Sequence, residues 1–228
     1  MRNVCVASFY RQFSPYYAII IPFFMKNLYN QTTKIILLCL LAQVFNLLVA
    51  YILGDILHLP LFMDTIGTVF IVFYAGLVPG MIVGISYNIL RFFLMMILGN
   101  PVYPWEIMYC LCGAAIAFFT YFFYWRNQNF YLSRTLAILY LVLISLVTAF
   151  ASSIIGGSIE AVQRICFDNQ IYENPVRNFV TAFLGQHFGL FVACIFSRIP
   201  ITVLDRLICT FLGAALYHVV KKAEAVAE

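Results

Sequence analysis

Apolar residues in this chain are gathered into blocks of helix length, and they do not alternate with polar residues as barrel strands do. The first convincing block, Ile35 to Leu53, runs without a charge until Gly54 and Asp55 end it. Only 10% of the 228 residues are charged and 64% are hydrophobic, whereas a soluble domain carries about 25% charged residues. A chain with a mean hydropathy of +0.96 has too little polar surface to cover a globule. The expected fold is therefore all-α: a polytopic membrane helical bundle set in a lipid bilayer. A net charge of +4 is small and gives no reason to expect nucleic acid.

Residues 1–33 read as a polar and aromatic extension, interfacial or poorly ordered, because the apolar core from Tyr17 to Met25 contains Pro22 and is shorter than the roughly 17 residues a span needs. No small-residue cleavage site follows that core, which disfavours a secretory signal. The bundle is expected over residues 34–222, with 223–228 as a short tail. Within it the expected helices are Ile35 to Leu53, Asp64 to Val78, Met81 to Leu98, Trp105 to Tyr124 and Thr135 to Ile155. The second and third flank Pro79 and Gly80 and are short for a span, so one of them is expected to begin partway into the bilayer. Gly156 to Val176 reads as a loop or helix end facing water. Asn178 to Phe196 and Ile201 to Val220 are each long enough to cross and are separated by Arg198 and Pro200. Six crossings keep Lys34, Arg126, Arg134, Lys221 and Lys222 on the cytoplasmic side with both termini, and seven, the alternative, would expose Lys221 and Lys222.

Small residues recur at four-residue spacing in Gly76, Gly80 and Gly84, in Gly113 and Ala117, and in Gly185 and Gly189. Such spacing lets helix backbones approach closely, and packing inside the bundle is its expected use. Ala42, Asn46 and Ala50 make a stripe on the first helix that either packs internally or admits a partner helix. The seven cysteines include Cys39, Cys194 and Cys209 inside apolar blocks, and Cys110 and Cys112 have a spacing that fits neither a zinc site nor a redox pair.

The segment from Leu59 to Arg91 places Asp64, Thr65, Thr68, Asn88 and Arg91 in an apolar stretch long enough to cross twice. Intramembrane charge is costly, so these groups must face protein, water or substrate. They are candidate substrate-binding residues; the alternative is that Asp64 caps its helix and Arg91 snorkels to an interface. Asn100, Tyr103, Trp105 and Glu106 fall on the loop expected on the same outer side. Glu160 and Arg164, one helical turn apart, belong to the same candidate set, with a solvated ion pair as the competing reading. Aromatic walls with a few placed polar groups suit a planar or heterocyclic ligand. No HExxH, GxSxG or phosphate-binding GxxxxGK[ST] is present, and His58, His187 and His218 are scattered. Neither enzymatic activity nor a metal or cofactor is expected, and the adjacent Asp205 and Arg206 read as a helix-start cap and an interface charge.

The block Leu59, Pro60, Phe62, Asp64, Thr65, Ile66, Gly67 and Thr68, followed by Gly76, Pro79, Gly80, Gly84 and Asn88, resembles the S components of energy-coupling-factor transporters. It is also similar to related membrane regions fused to bacterial sensor kinases. A second similar stretch, Pro200, Asp205, Arg206 and Leu207 to Ala215, matches the family's segment before its last helix, with Arg206 in place of the usual Lys. The resemblance covers roughly residues 34–222. It implies a substrate-binding membrane protein of about six helices in a bacterial-type plasma membrane, taking up a vitamin or similar small molecule. It also implies partners: a transmembrane coupling protein and two ATPase subunits as separate chains. The family's AxxxA contact for that coupling protein falls on Ala42, Asn46 and Ala50, where the polar Asn46 interrupts the small surface. A membrane sensory or interaction protein of the same fold is the other expectation. The chain ends at Glu228, soon after its last helix, so no output domain is expected.

Overall fold

The computed structural model of the protein describes residues 31–59, 61–100, 102–125, 133–166 and 176–227. Most of the extension expected over residues 1–33 lies outside the described residues; its last three residues already belong to the first helix. That helix, α1 (Gln31–Ala50), continues as a wider π-helical stretch over Tyr51–Ile56. It is followed by α2 (Ile66–Ala75), α3 (Leu77–Ile97), a short 3-10 helix (Pro104–Tyr109), α4 (Cys110–Trp125), α5 (Arg134–Cys166), α6 (Arg177–Gly185) and α7 (Leu190–Ala227). Five stretches are long and apolar enough to cross a membrane: Gln31–Ile56, Leu77–Ile97, Pro104–Trp125, Arg134–Cys166 and Leu190–Val226. The protein is a multi-pass α-helical membrane bundle.

The 10 residues of α2 rise about 15 Å, half of a roughly 30 Å hydrocarbon layer. The break between α2 and α3 falls at Gly76, whose φ of +91° suits a residue without Cβ. It does not fall at Pro79 and Gly80, as the sequence predicts: Pro79 sits in the first turn of α3, where a missing N–H is tolerated.

Two further expectations are corrected. The polar stretch after Ile155 is a helix end but does not face water, because α5 continues to Cys166 with Gly156, Gly157, Glu160, Ala161 and Gln163 buried; residues 167–175 of that stretch lie outside the described residues. Arg198 and Pro200 do not separate two segments either, since α7 is one helix of 38 residues with Pro200 inside it. A membrane helix tolerates an internal proline where neighbours and hydroxyls re-satisfy its surroundings. Ser197 Oγ donates to Cys194 O at 3.1 Å and Thr202 Oγ1 to Arg198 O at 2.7 Å on either side of it, while the carbonyl that loses its helical donor at Pro200 is that of Phe196. The expected tail after residue 222 is helical through Ala227.

α7 packs against α2, α5 and α6. Phe73, Ile116, Tyr124, Ile144 and Ala214 form one core cluster around it, with the Phe73 and Tyr124 rings 4.3 Å apart. α3 and α4 touch through backbone: a Cβ on Gly84 would lie 2.7 Å from the carbonyl oxygen of Gly113. Gly185 and Gly189 meet nothing within 4 Å, so that GxxxG pair is not a packing contact.

Ala42, Asn46 and Ala50 are all buried, which corrects their reading as a partner-facing stripe. Asn46 Oδ1 accepts the Gly67 N–H at 2.7 Å while Nδ2 donates to Thr68 Oγ1 at 3.3 Å. The amide that interrupts the small surface thus ties α1 to the first turn of α2.

One end of the bundle is closed by charge. Lys34 near the start of α1 lies 2.7 Å from Glu224 near the end of α7. Tyr74 at the end of α2 also donates to Glu224, and Lys221 reaches its other oxygen at 3.0 Å. Trp125 Nε1 at the end of α4 donates to Val72 O at 2.8 Å, bringing α4 to the same end. The end of α1, the start of α2 and the start of α4 accordingly gather at the opposite end.

Candidate ligand cavity

At that opposite end lies a cavity of about 700 Å³. The chain from residue 61 to residue 65 runs through it without helical structure, in place of the half-membrane that α2 does not span. Irregular backbone at membrane depth is tolerated where it lines a polar cavity, provided its hydrogen bonds are met. Asp205 meets one: its Oδ1 accepts the Met63 N–H at 2.6 Å and holds Met63 at a φ of +45°.

Asp64, Thr65, Asn88, Arg91, Asn100, Tyr103, Trp105 and Glu106 all line this cavity. The structure therefore brings together most of the residues singled out from sequence, although they come from separate elements. Thr68, Glu160 and Arg164 do not line it. Thr68 is buried in the α1–α2 contact with Asn46, which removes it from the ligand-facing set.

Asp64 does not cap α2, the alternative reading for it; its Oδ1 lies 3.0 Å from Arg206 Nη2, and Thr65 Oγ1 accepts from Arg206 Nη1. Asp205 Oδ2 lies 2.8 Å from the same guanidinium without hydrogen-bond geometry. Asp205 and Arg206 are thus neither a helix-start cap nor an interface charge, but buried mid-helix groups of α7. Their motif also sits within the last helix rather than before it. Arg91 Nη1 donates to Tyr87 OH at 3.0 Å, and Nη2 lies 3.4 Å from Asp55 Oδ1, so Arg91 faces the cavity mouth.

A second network stands behind the wall. Glu160 is fully buried, with Arg164 Nη2 2.8 Å from Oε1 and Arg198 Nη2 2.7 Å from Oε2. The competing reading of Glu160 and Arg164 as a solvated pair fails, because the pair exists but is inside the bundle. Burying these charges is bearable only because each guanidinium finds a carboxylate and further acceptors. Arg198 also donates to Tyr109 OH at 3.0 Å, and its guanidinium lies 5.2 Å from that ring's centre. It is Arg198, not Glu160 or Arg164, that reaches the cavity.

On the same side Tyr103 and Trp105 stack with centroids 4.6 Å apart and planes 14° from parallel, and Gln163 Nε2 donates to Trp105 O at 3.4 Å. Trp105 and Glu106 ride on the 3-10 helix rather than on a loop. Sequence reasoning missed Asp55, Tyr87, Tyr109, Arg198, Thr202 and Arg206 as lining groups. The signal for the last three was their four-residue spacing in an apolar stretch, which a helix broken at Pro200 would hide.

The cavity combines a flat aromatic surface with fixed charges, the kind of lining that small-molecule pockets use. Among the described residues no group of three or more His, Cys, Asp or Glu side chains is placed to hold a metal ion. Comparison with protein-family models, curated proteins and solved structures finds no match to this chain.

Proposed function

We propose that the protein is the substrate-binding membrane subunit of an uptake transporter, of the S-component kind, taking a vitamin or similar small molecule. The observation that carries this reading is the charged and aromatic cavity at the end of the bundle away from Lys34 and Lys221. Lys34, Arg134, Lys221 and Lys222 lie at helix ends on the other side, and short cytoplasmic segments collect such residues. On this reading the bundle crosses six times, with α2 as a short crossing completed by residues 61–65, and the cavity opens outward. Both described termini then face the cytoplasm of a bacterial-type cell. The chain binds its substrate without chemistry, and ATP hydrolysis belongs to separate partner chains that act through a membrane coupling protein.

The test is purification of the tagged full chain from its native membrane. Recovery of a second polytopic protein with two ATPases, together with ATP-dependent uptake that stops when this gene is deleted, is the expected outcome. Unchanged uptake of every retained small molecule on deletion would refute the proposal.

A further inference from the structure

Three residues of α7 reach the cavity, Arg198, Thr202 and Arg206, spaced four apart along one face of the helix. The charge balance at the two ends of this row is opposite. Arg198 shares the carboxylate of Glu160 with Arg164, so among the described residues two guanidiniums meet one acid. Arg206 stands between Asp64 and Asp205, so one guanidinium meets two acids. The side chains of Arg198 and Arg206 are only 9% and 5% exposed. Eight helical residues separate their backbones by about 12 Å.

An excess charge held among apolar helices keeps much of its field, because little water is present to screen it. The cavity therefore presents a positive pole at Arg198 and a negative pole at Asp64. At the mouth Arg91 lies 3.4 Å from Asp55 and also faces Glu106, one guanidinium to two acids again, so this end does not offset the negative side. We infer that the ligand is dipolar: a zwitterion, or a molecule with separated ionic groups, that sets its anionic end against Arg198 and its cationic end against Asp64. This inference rests on the reading of the cavity as a substrate site. A ligand with one charge satisfies one pole and leaves the other bare. The stacked Tyr103 and Trp105 rings give a flat surface for an unsaturated spacer.

The test uses the full chain in lipid nanodiscs and a matched set built on 4-(4-aminobutyl)benzoic acid. The set comprises the zwitterion, its methyl ester as cation, its N-acetyl form as anion, and the doubly blocked compound. The zwitterion should bind at least about tenfold more tightly than any of the others, the scale of one charged hydrogen bond. Arg198→Gln should abolish only the preference for the carboxylate, making zwitterion and ester equal. Asp64→Asn should abolish only the preference for the ammonium group, making zwitterion and N-acetyl form equal. A folding defect would weaken all four alike and could not produce either pattern.

Equal or tighter binding of a singly charged or blocked form overturns the dipolar inference while leaving the cavity a ligand site. If none of the four binds, mass spectrometry of molecules retained by the purified protein decides. A retained zwitterion supports the inference, and a retained molecule of one charge or none overturns it. With nothing retained either, the substrate-site reading fails as well.

Discussion

The carboxylate of Asp64 meets the guanidinium of Arg206 at 3.0 Å, across 142 positions of sequence. This contact joins the chain before α2 to the middle of α7 and sets the depth of the cavity.

Arg206→Met is expected to strand the carboxylates of Asp64 and Asp205 inside the bundle. Removing one partner of a buried charge network costs about 3–5 kcal/mol. Steric-trapping measurement of unfolding free energy should register that loss, and adding Asp64→Asn with Asp205→Asn should restore most of it. No recovery in the triple variant would mean that the guanidinium stabilises the fold by packing and not by charge.

Asn46→Ala removes the acceptor for the Gly67 N–H and the donor to Thr68. Leaving a buried donor unmet costs about 1–3 kcal/mol. The same unfolding measurement should show it, and Asn46→Asp, which keeps the acceptor, should fold less stably still because it adds a buried charge. A neutral Asn46→Ala would show that α1 is held to α2 by apolar contact alone.

The glycines separate into two groups. Gly84→Ala places a methyl against the Gly113 carbonyl and should destabilise by about 1–3 kcal/mol through overpacking. Gly185→Ala and Gly189→Ala meet open space and should stay within about 0.5 kcal/mol of wild type. Thermal unfolding of the three variants side by side checks the contrast, and equal losses in all three would contradict it.

Orientation is open to labelling in a cysteine-free background. Asn100→Cys, exposed beside the cavity, should react with an impermeant maleimide in intact cells. Lys222→Cys should react only after permeabilisation. The reverse pattern would turn the cavity toward the cytoplasm and remove the uptake reading.

The apolar blocks made the helical class and most helix cores legible, because hydrophobic length is a local property of sequence. Partners of charged residues were not legible in the same way. Glu160 and Arg164 have the same spacing whether they sit in water or in a buried network, and only Arg198 on another helix decides between the two. Pro200 marks a helix end in most contexts, and α7 runs on through it where α2, α5 and α6 pack against the helix. Part of the cavity lining was legible because Asp64, Asn88 and Arg91 are polar groups in apolar segments, a signal independent of their partners. Thr68 carried the same signal and turned out to serve the α1–α2 contact, since a hydroxyl can be satisfied by a single neighbouring amide.

The shortness of α2 has an electrical consequence. On the uptake reading, the chamber beside Asp64 would admit water and the roughly 15 Å occupied by α2 would remain as the insulating layer. A voltage across the membrane would then drop mainly over that half, as it does wherever a water-filled vestibule thins the insulating layer. A charged molecule at Arg206 would have crossed half the thickness of the bilayer but little of its field, leaving most of the electrical work between Arg206 and the end closed by Lys34 and Glu224.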